Sequence, residues 1–181
     1  MKIINIETER LFIRNLSIKD SNGIFEMDSD PEVQKFLGKK PIQNISEATD
    51  YIVNVQKEYK KYGTGRLAVL EKETGYFIGW CGLKFINTEI NSKSEYYDIG
   101  YRFIKRYWGK GYATESAFAC INFGFKELNQ EEVYAMAESN HRASRNILRK
   151  LGMNEMNEFK YDNTPHTFYK ISKQKWINYD N

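Results

Sequence analysis

The chain has 181 residues, with 27 Lys plus Arg against 24 Asp plus Glu and a net charge of +3. Apolar residues make 41%, charged residues 28% and aromatic residues 15%, which excludes a disordered chain, because this much aromatic surface can offset chain entropy. The length suits a single domain over residues 1–181 with a real core, and the small net charge gives no ground for a nucleic-acid partner.

No apolar run reaches the length of a membrane span. The opening Met1-Lys2-Ile3-Ile4-Asn5-Ile6-Glu7 is too short for a signal-peptide core. Cys81 and Cys120 are too few for a disulfide framework and lack metal-ligand spacing, and His141 and His166 are too scattered for zinc. These features predict a cytoplasmic protein with no metal, membrane or direct nucleic-acid partner.

Thr8–Arg14 alternates apolar and polar residues and predicts a strand. Ser17–Met27 reads as a short helix. Asp30-Pro31 opens another helical turn, with Val33, Phe36 and Leu37 on one side. Ile45–Tyr62 is the longest helical pattern in the first half, with Ser46 as its expected N-cap, an apolar stripe through Tyr51, Ile52, Val55 and Tyr59, and Gly63 as its stop. Arg66–Leu70, Tyr76–Ile86 and Tyr96–Ile104 then predict an antiparallel meander. A helix from Gly111 to Leu128 buries Ala113, Ala117, Ile121 and Phe125. Val133–Ala137 is a strand, Ala143–Leu151 a helix ended by Gly152, and Phe159–Tyr161 with Thr167–Ile171 a closing hairpin around Asn163-Thr164-Pro165. This order predicts a mixed, mostly antiparallel α/β sheet of about six to seven strands with helices on both faces. The strand–helix–strand step from Tyr96 to Ala137 makes its two strands parallel neighbours.

The chemistry-bearing stretch is 98–115. A strand runs into a loop with two glycines, Gly109 and Gly111, and a helix begins at once. A helix N-terminus exposes backbone N–H groups and the positive end of the helix dipole, which together make an anion site. Glycines let the backbone approach a bulky anion, and Arg106 and Lys110 add charge at the rim. The Walker pattern is excluded by the one-residue glycine spacing and by Tyr112. The dinucleotide fingerprint is excluded by Thr114, where a third Gly or Ala belongs. On the residues alone, a phosphate cradle and a bare tight turn both stay open.

Arg106-Tyr107-Trp108-Gly109-Lys110-Gly111 is similar to the Arg/Gln-x-x-Gly-x-Gly/Ala pyrophosphate motif of the GNAT acyl-CoA N-acyltransferases. The run I-G-Y…Y-W-G-K-G-Y-A-T-E at 99–115 resembles the branch that holds the RimJ/RimL-type N-terminal acetyltransferases of ribosomal proteins. T-E-R-L-F-I-R-N-L at 8–16, D-S-D-P-E-V at 28–33 and A-S-R-N-I-L-R-K-L-G-M at 143–153 resemble further blocks of that branch, in order along nearly the whole chain. The resemblance implies acetyl-CoA as cosubstrate, an amine as acceptor, and a splayed parallel strand pair at the cofactor site. By the same resemblance, the backbone at Phe103 and Ile104 meets the pantetheine arm and the acetyl carbonyl. Trp108, Gly109, Lys110, Gly111, Tyr112 and Ala113 hold the pyrophosphate, and Ser144 bonds the cofactor near its sulfur; an N-cap role for Ser144 stays open. The sequence departs from the pattern in two places. His141 stands where the family commonly has Asn, so that Asn140 is expected to serve instead. Lys105 stands where the branch usually shows Pro.

Acetyl transfer needs a base for the amine, donors for the oxyanion and a proton for the leaving thiolate. Asp98 is the base candidate, with a role as cross-strand charge partner left open, and Glu95 and Glu138 stand behind it. The N–H of Ile104 is the expected oxyanion donor. Ser144 is the expected proton donor, with Tyr97 and Tyr101 as alternatives. Cys81 reads as a buried strand residue. The acceptor site is expected between the helices at 17–62 and the hairpin at 159–171. Phe25, Phe36, Trp80 and Phe85 are its wall candidates or else core, and Asp28 and Asp30 could draw a cationic amine. Acceptors compatible with the branch are protein N-termini, polyamines and amine-bearing antibiotics; a non-catalytic CoA-binding module is the alternative. Exposed aromatics fit a homodimer edge as well as substrate walls.

Overall fold

A computed structural model describes residues 3–36, 38 and 40–180. Leu37, assigned above to the apolar side of a short helix, lies outside the described residues, as do Met1 and Lys2. One sheet of eight strands runs in the order β1-β2-β3-β4-β5-β6-β8-β7. Its strands are β1 Asn5–Glu7, β2 Leu11–Asn15, β3 Arg66–Glu71, β4 Phe77–Ile86, β5 Tyr96–Phe103, β6 Glu132–Glu138, β7 Asn154–Tyr161 and β8 Thr164–Ser172. The helices are α1 Ser21–Asp28, α2 Pro31–Gln34, α3 Ile45–Tyr62, α4 Tyr112–Lys126, α5 Arg142–Lys150 and α6 Lys173–Asp180. All neighbouring strands are antiparallel except β5 and β6, which are parallel and in register at Asp98 opposite Tyr134.

Helices cover both faces. On one face Cys81 lies beside Cys120 of α4, and Leu83 packs where a side chain on Gly124 would stand. On the other, Lys84 reaches Glu58 of α3 at 3.4 Å and Arg102 reaches Asp28 of α1 at 2.7 Å. Alternation along a strand explains the split: Cys81 and Leu83 point one way, Trp80, Gly82 and Lys84 the other. Tyr59 fastens α3 to the sheet, donating to the Arg66 carbonyl at 2.5 Å and accepting from the Leu16 N–H at 3.0 Å.

Several local expectations shift. The strand expected from Thr8 starts at Leu11, because Thr8 closes a turn: its Oγ1 accepts from the Leu11 N–H. The N-cap of α3 is Asn44 rather than Ser46; Asn44 and Glu47 bond each other's backbone N–H reciprocally, which satisfies two orphan donors. The β7–β8 turn sits one residue early, at Asp162 and Asn163, both with positive φ as a two-residue hairpin turn requires. The sheet gains β1, three residues too short to show a period. The chain also gains α6, whose Trp176 is 2% exposed and packs on Phe118 and Phe125 of α4.

Two glycines separate rigid from yielding neighbours. A Cβ on Gly82 would lie 2.2 Å from the Gly65 carbonyl oxygen, which is backbone; one on Gly124 would lie 2.5 Å from a Leu83 methyl, which can rotate. Gly82→Ala is expected to lower the unfolding free energy by about 2 kcal/mol. Gly124→Ala should cost less, since Ala in mid-helix is worth roughly 1 kcal/mol over Gly. Urea denaturation midpoints check the order; equal midpoints would show that the strands shift freely.

Candidate functional site

β5 ends at Phe103, and the chain makes one 3-10 turn at Lys105–Tyr107. Gly109 (φ 75) and Gly111 (φ 84) are both left-handed, and Gly111 is the N-cap of α4. Only glycine takes this conformation without a steric penalty. The first helical bond there runs from the Glu115 N–H to the Gly111 carbonyl, and the N–H groups before it have no carbonyl in the helix to meet. A side chain on Gly109 would meet nothing within 4 Å. The loop therefore presents open, donor-rich backbone at a positive helix end, the environment a phosphate or pyrophosphate requires.

A second set of side chains holds this loop from behind. Thr8 Oγ1 donates to Glu115 at 2.5 Å, and the Arg10 N–H donates to the same carboxylate at 3.0 Å. The Arg10 guanidinium forks onto Glu115 at 2.6 and 2.8 Å and bonds the Lys110 carbonyl at 2.9 Å. It also stacks on Tyr112, 4.7 Å from the ring centroid. Tyr112 in turn donates to Glu71 at 2.5 Å, and hydrogen bonds from Tyr112 and Thr74 hold the Glu71 carboxyl below its ordinary range. Glu115 is likewise held low: its bonds to Thr8 and Arg10 outweigh partial burial. Thr8, Arg10, Glu71 and Glu115 were missed in the sequence as site residues. The signal was present in T-E-R at 8–10 and in the Glu that ends the 99–115 run.

The loop side chains are distributed as follows. Trp108 is half exposed, and its indole N–H donates to the Phe103 carbonyl at 2.7 Å. Lys110 Nζ lies over Tyr107, 5.2 Å from the ring centroid. Arg106, expected at the anion rim, is paired with Glu26 of α1. The Tyr112 ring faces Arg10 and Glu71, and Ala113 is half-buried. The Ile104 N–H donates to the Ile78 carbonyl at 3.0 Å, which corrects its expected role as oxyanion donor. Strand alternation then puts the Phe103 and Tyr101 N–H groups on the opposite edge, toward β6.

Tyr101 and Ser144 come together at that edge. The Tyr101 hydroxyl lies 3.1 Å from both the Ser144 carbonyl and Ser144 Oγ. Burial pushes the Tyr101 phenol far above its ordinary value, so it stays a proton donor. Ser144 sits in the first turn of α5, and the capping residue there is His141. His141 stacks on Phe36 with centroids 4.1 Å apart, and burial pushes its pKa down. Asn140 beside it is exposed.

Asp98 lies on the other face of β5. It is 9% exposed and pairs with Arg66 at 2.5 Å. Burial raises its pKa, and the Arg66 guanidinium only partly offsets this. Asp28 is likewise raised by burial against Arg102. Asp30, expected to draw an amine, caps α2 through the Glu32 N–H. Glu95 is exposed, and Glu138 faces His141. Phe85 packs on Tyr62 and Tyr97. Among the described residues no group of three or more His, Cys, Asp or Glu is placed to hold a metal ion, and no helix is long and apolar enough to cross a membrane.

A family model described as an acetyltransferase (GNAT) domain matches residues 10–154. The chain is 33% identical over 144 residues to the uncharacterized N-acetyltransferase p20 of Bacillus licheniformis, spanning 80% of this chain and 79% of that protein. It is 27% identical over 186 residues to the FsC-acetyl coenzyme A-N(2)-transacetylase of Aspergillus fumigatus, spanning 95% of this chain and 77% of that protein. Its fold matches the crystal structure of a GNAT-family acetyltransferase from Bacillus anthracis with a TM-score of 0.78 at 24% identity, covering 94% and 99% of the two chains.

Three substitutions test the loop. Gly111→Val forces a branched residue to a φ of 84 and crowds Arg10. It is expected to weaken acetyl-CoA binding at least tenfold by calorimetry while far-UV circular dichroism stays native; an unchanged affinity would remove the loop from the anion site. Arg10→Gln and Glu115→Gln should each weaken acetyl-CoA binding, and the double variant should lose less than the two single losses combined, because the residues share the Arg10–Glu115 ion pair.

Proposed function

Because the chain belongs to the acetyltransferase (GNAT) family and is an acetyl-CoA-dependent N-acetyltransferase, we propose that it acetylates a primary amine by direct attack in a ternary complex. The acceptor is a protein N-terminus of the ribosomal-protein type or a small amine, the RimJ/RimL-like reading that the sequence blocks support, and the setting is cytoplasmic. The observation that carries the mechanism is the arrangement about β5. The Tyr101–Ser144 pair lies on one face, the Asp98 carboxylate on the other, and the β6 edge between them is open beyond Asp98 and Tyr134.

In this reading the loop at 108–113 and α4 hold the pyrophosphate, and Asn140 meets the pantetheine arm. The thioester supplies the electrophilic carbonyl carbon. Asp98 takes the amine proton, directly or through a water, which frees the nitrogen lone pair to attack. The Phe103 N–H, directed to the open edge, stabilises the oxyanion. As the C–S bond breaks, Ser144 or Tyr101 gives its hydroxyl proton to the sulfur and takes back the second proton that the attacking nitrogen sheds to become an amide. Phe103 and Ile104 flank the acetyl group, with Ile104 acting through packing. The polyamine reading is weaker, since Asp28 and Asp98 both already face an arginine.

The pH profile tests Asp98. A protonated Asp98 accepts no proton, so activity should fall as pH drops through its folded pKa. Burial raises that pKa, so the acid limb of kcat/KM should lie above the ordinary carboxylate range of about 4. Asp98→Asn is expected to lower kcat by roughly 100-fold or more, to abolish that limb and to leave acetyl-CoA affinity within about twofold. A wild-type rate in this variant removes Asp98 from the mechanism.

A further inference from the structure

The α1/α3 face of the sheet carries a buried polar cluster that the roles above leave unexplained. Trp80 and Arg102 stand directly opposite each other on β4 and β5. The Trp80 ring lies between two guanidinium groups, 5.3 Å from Arg66 and 5.1 Å from Arg102. Tyr51 of α3 lies near enough to feel the charges of Arg102, Arg66, Asp28 and Glu58.

Two features set the chemistry of this cluster. First, its carboxylates are neutralised: Asp98 by Arg66 at 2.5 Å, Asp28 by Arg102 at 2.7 Å, and Glu58 by Lys84 at 3.4 Å. Three carboxylates thus face three cations, and of their buried oxygens only Glu58 Oε2 lacks a hydrogen bond among the described residues, which gives a polycation little to select. Second, it contains buried donors without acceptors. Trp80 is 7% exposed, and neither Trp80 Nε1 nor Arg102 Nε has a hydrogen-bond partner among the described residues. An unmet buried donor is costly, and the pair becomes favourable when an oxygen-bearing ligand meets it. Arg102 directly precedes Phe103 on β5, one residue or about 3.3 Å along the strand from the residue whose N–H is directed to the β6 edge.

We propose that Trp80 and Arg102 read an oxygen of the acceptor, so that the preferred acceptor is a primary amine carrying a carbonyl or carboxylate oxygen close to its nitrogen. This rests on the acetyl-transfer reading above and extends it to substrate class. Trp80 and Arg102 are specificity residues for the acceptor, and Arg66 with Asp98 holds the Trp80 ring in place. Both a peptide N-terminus and a free amino acid present this chemistry.

The test uses the full chain with acetyl-CoA and four acceptors: glycinamide, glycine, propylamine and spermidine, followed by thiol release. Glycinamide or glycine is expected to exceed propylamine and spermidine in kcat/KM by about 100-fold, because an analogue lacking the oxygen leaves buried donors unpaired. The ranking of glycinamide against glycine separates a peptide-like acceptor from a free amino acid. Trp80→Phe keeps the ring and removes the donor. It should cut kcat/KM about tenfold for the oxygen-bearing acceptor and much less for propylamine, which has no oxygen for the indole N–H to meet. Arg102→Lys, which keeps the charge and loses Nε, should behave alike. Binding is read independently of turnover from the Trp80 indole N–H resonance in the CoA complex, assigned by its loss in Trp80→Phe. It should move on adding glycinamide or glycine and stay still on adding propylamine. Equal use of propylamine, or an indole resonance indifferent to all four compounds, overturns the proposal. Failure of the chain to bind acetyl-CoA would instead overturn the acetyl-transfer reading beneath it.

Discussion

The site depends on the two unequal edges of β5. Its β4 edge is paired from Gly79–Phe103 to Ile86–Tyr96, whereas its β6 edge is in register only at Asp98 and Tyr134. Backbone N–H and C=O groups inside a protein must find partners, so a half-paired central strand exposes a row of unmet groups. The Trp108 indole meets one of them, the Phe103 carbonyl. The rest face the opening between β5 and β6, next to the N-terminus of α4. Opening and anion loop are thus two results of one event, the parting of β5 from β6 as the chain turns through 105–111 into α4.

How much of this was legible in the sequence differs by kind of signal. Long periodic segments were legible: Ile45–Tyr62 has the bounds expected from its stripe, and Gly63 caps it in the left-handed conformation. Short or mixed segments were not. β1 is three residues long, and α6 hides a single buried Trp176 among charged and polar neighbours. Capping was misread for a geometric reason. Ser46 and Asn44 are both capping types, and only the position of Glu47, three residues after Asn44, favours Asn44.

The candidate site shows the same division. Gly109 and Gly111 were legible because two glycines at a strand-to-helix junction mark backbone that turns through the left-handed region, where a side chain would be strained. The Ile104 N–H was misassigned because the direction of a strand N–H depends on register, and register with Ile78 is not encoded locally. Thr8 and Arg10 escaped notice as site residues because they lie about a hundred positions from Glu115, and a loop clamp built by two distant segments has no period to detect.

The buried charges of the α1/α3 face fall outside both kinds of signal. Arg66–Asp98 and Arg102–Asp28 are ion pairs whose arginine and aspartate side chains are mostly buried. Desolvation offsets much of the attraction in such pairs, so they are weak arguments for stability. They are strong constraints on direction. The Arg66 guanidinium also donates to the Gly82 and Asp98 carbonyls at 2.6 and 2.8 Å, crossing over Gly100 where any side chain would collide with it. Arg66 therefore binds β3, β4 and β5 together on the face opposite Tyr101 and Ser144. That fixes β4 against β5, while the β6 edge is in register at one pair. A central strand paired so unequally needs its fuller side held, and these charges are placed where they do so.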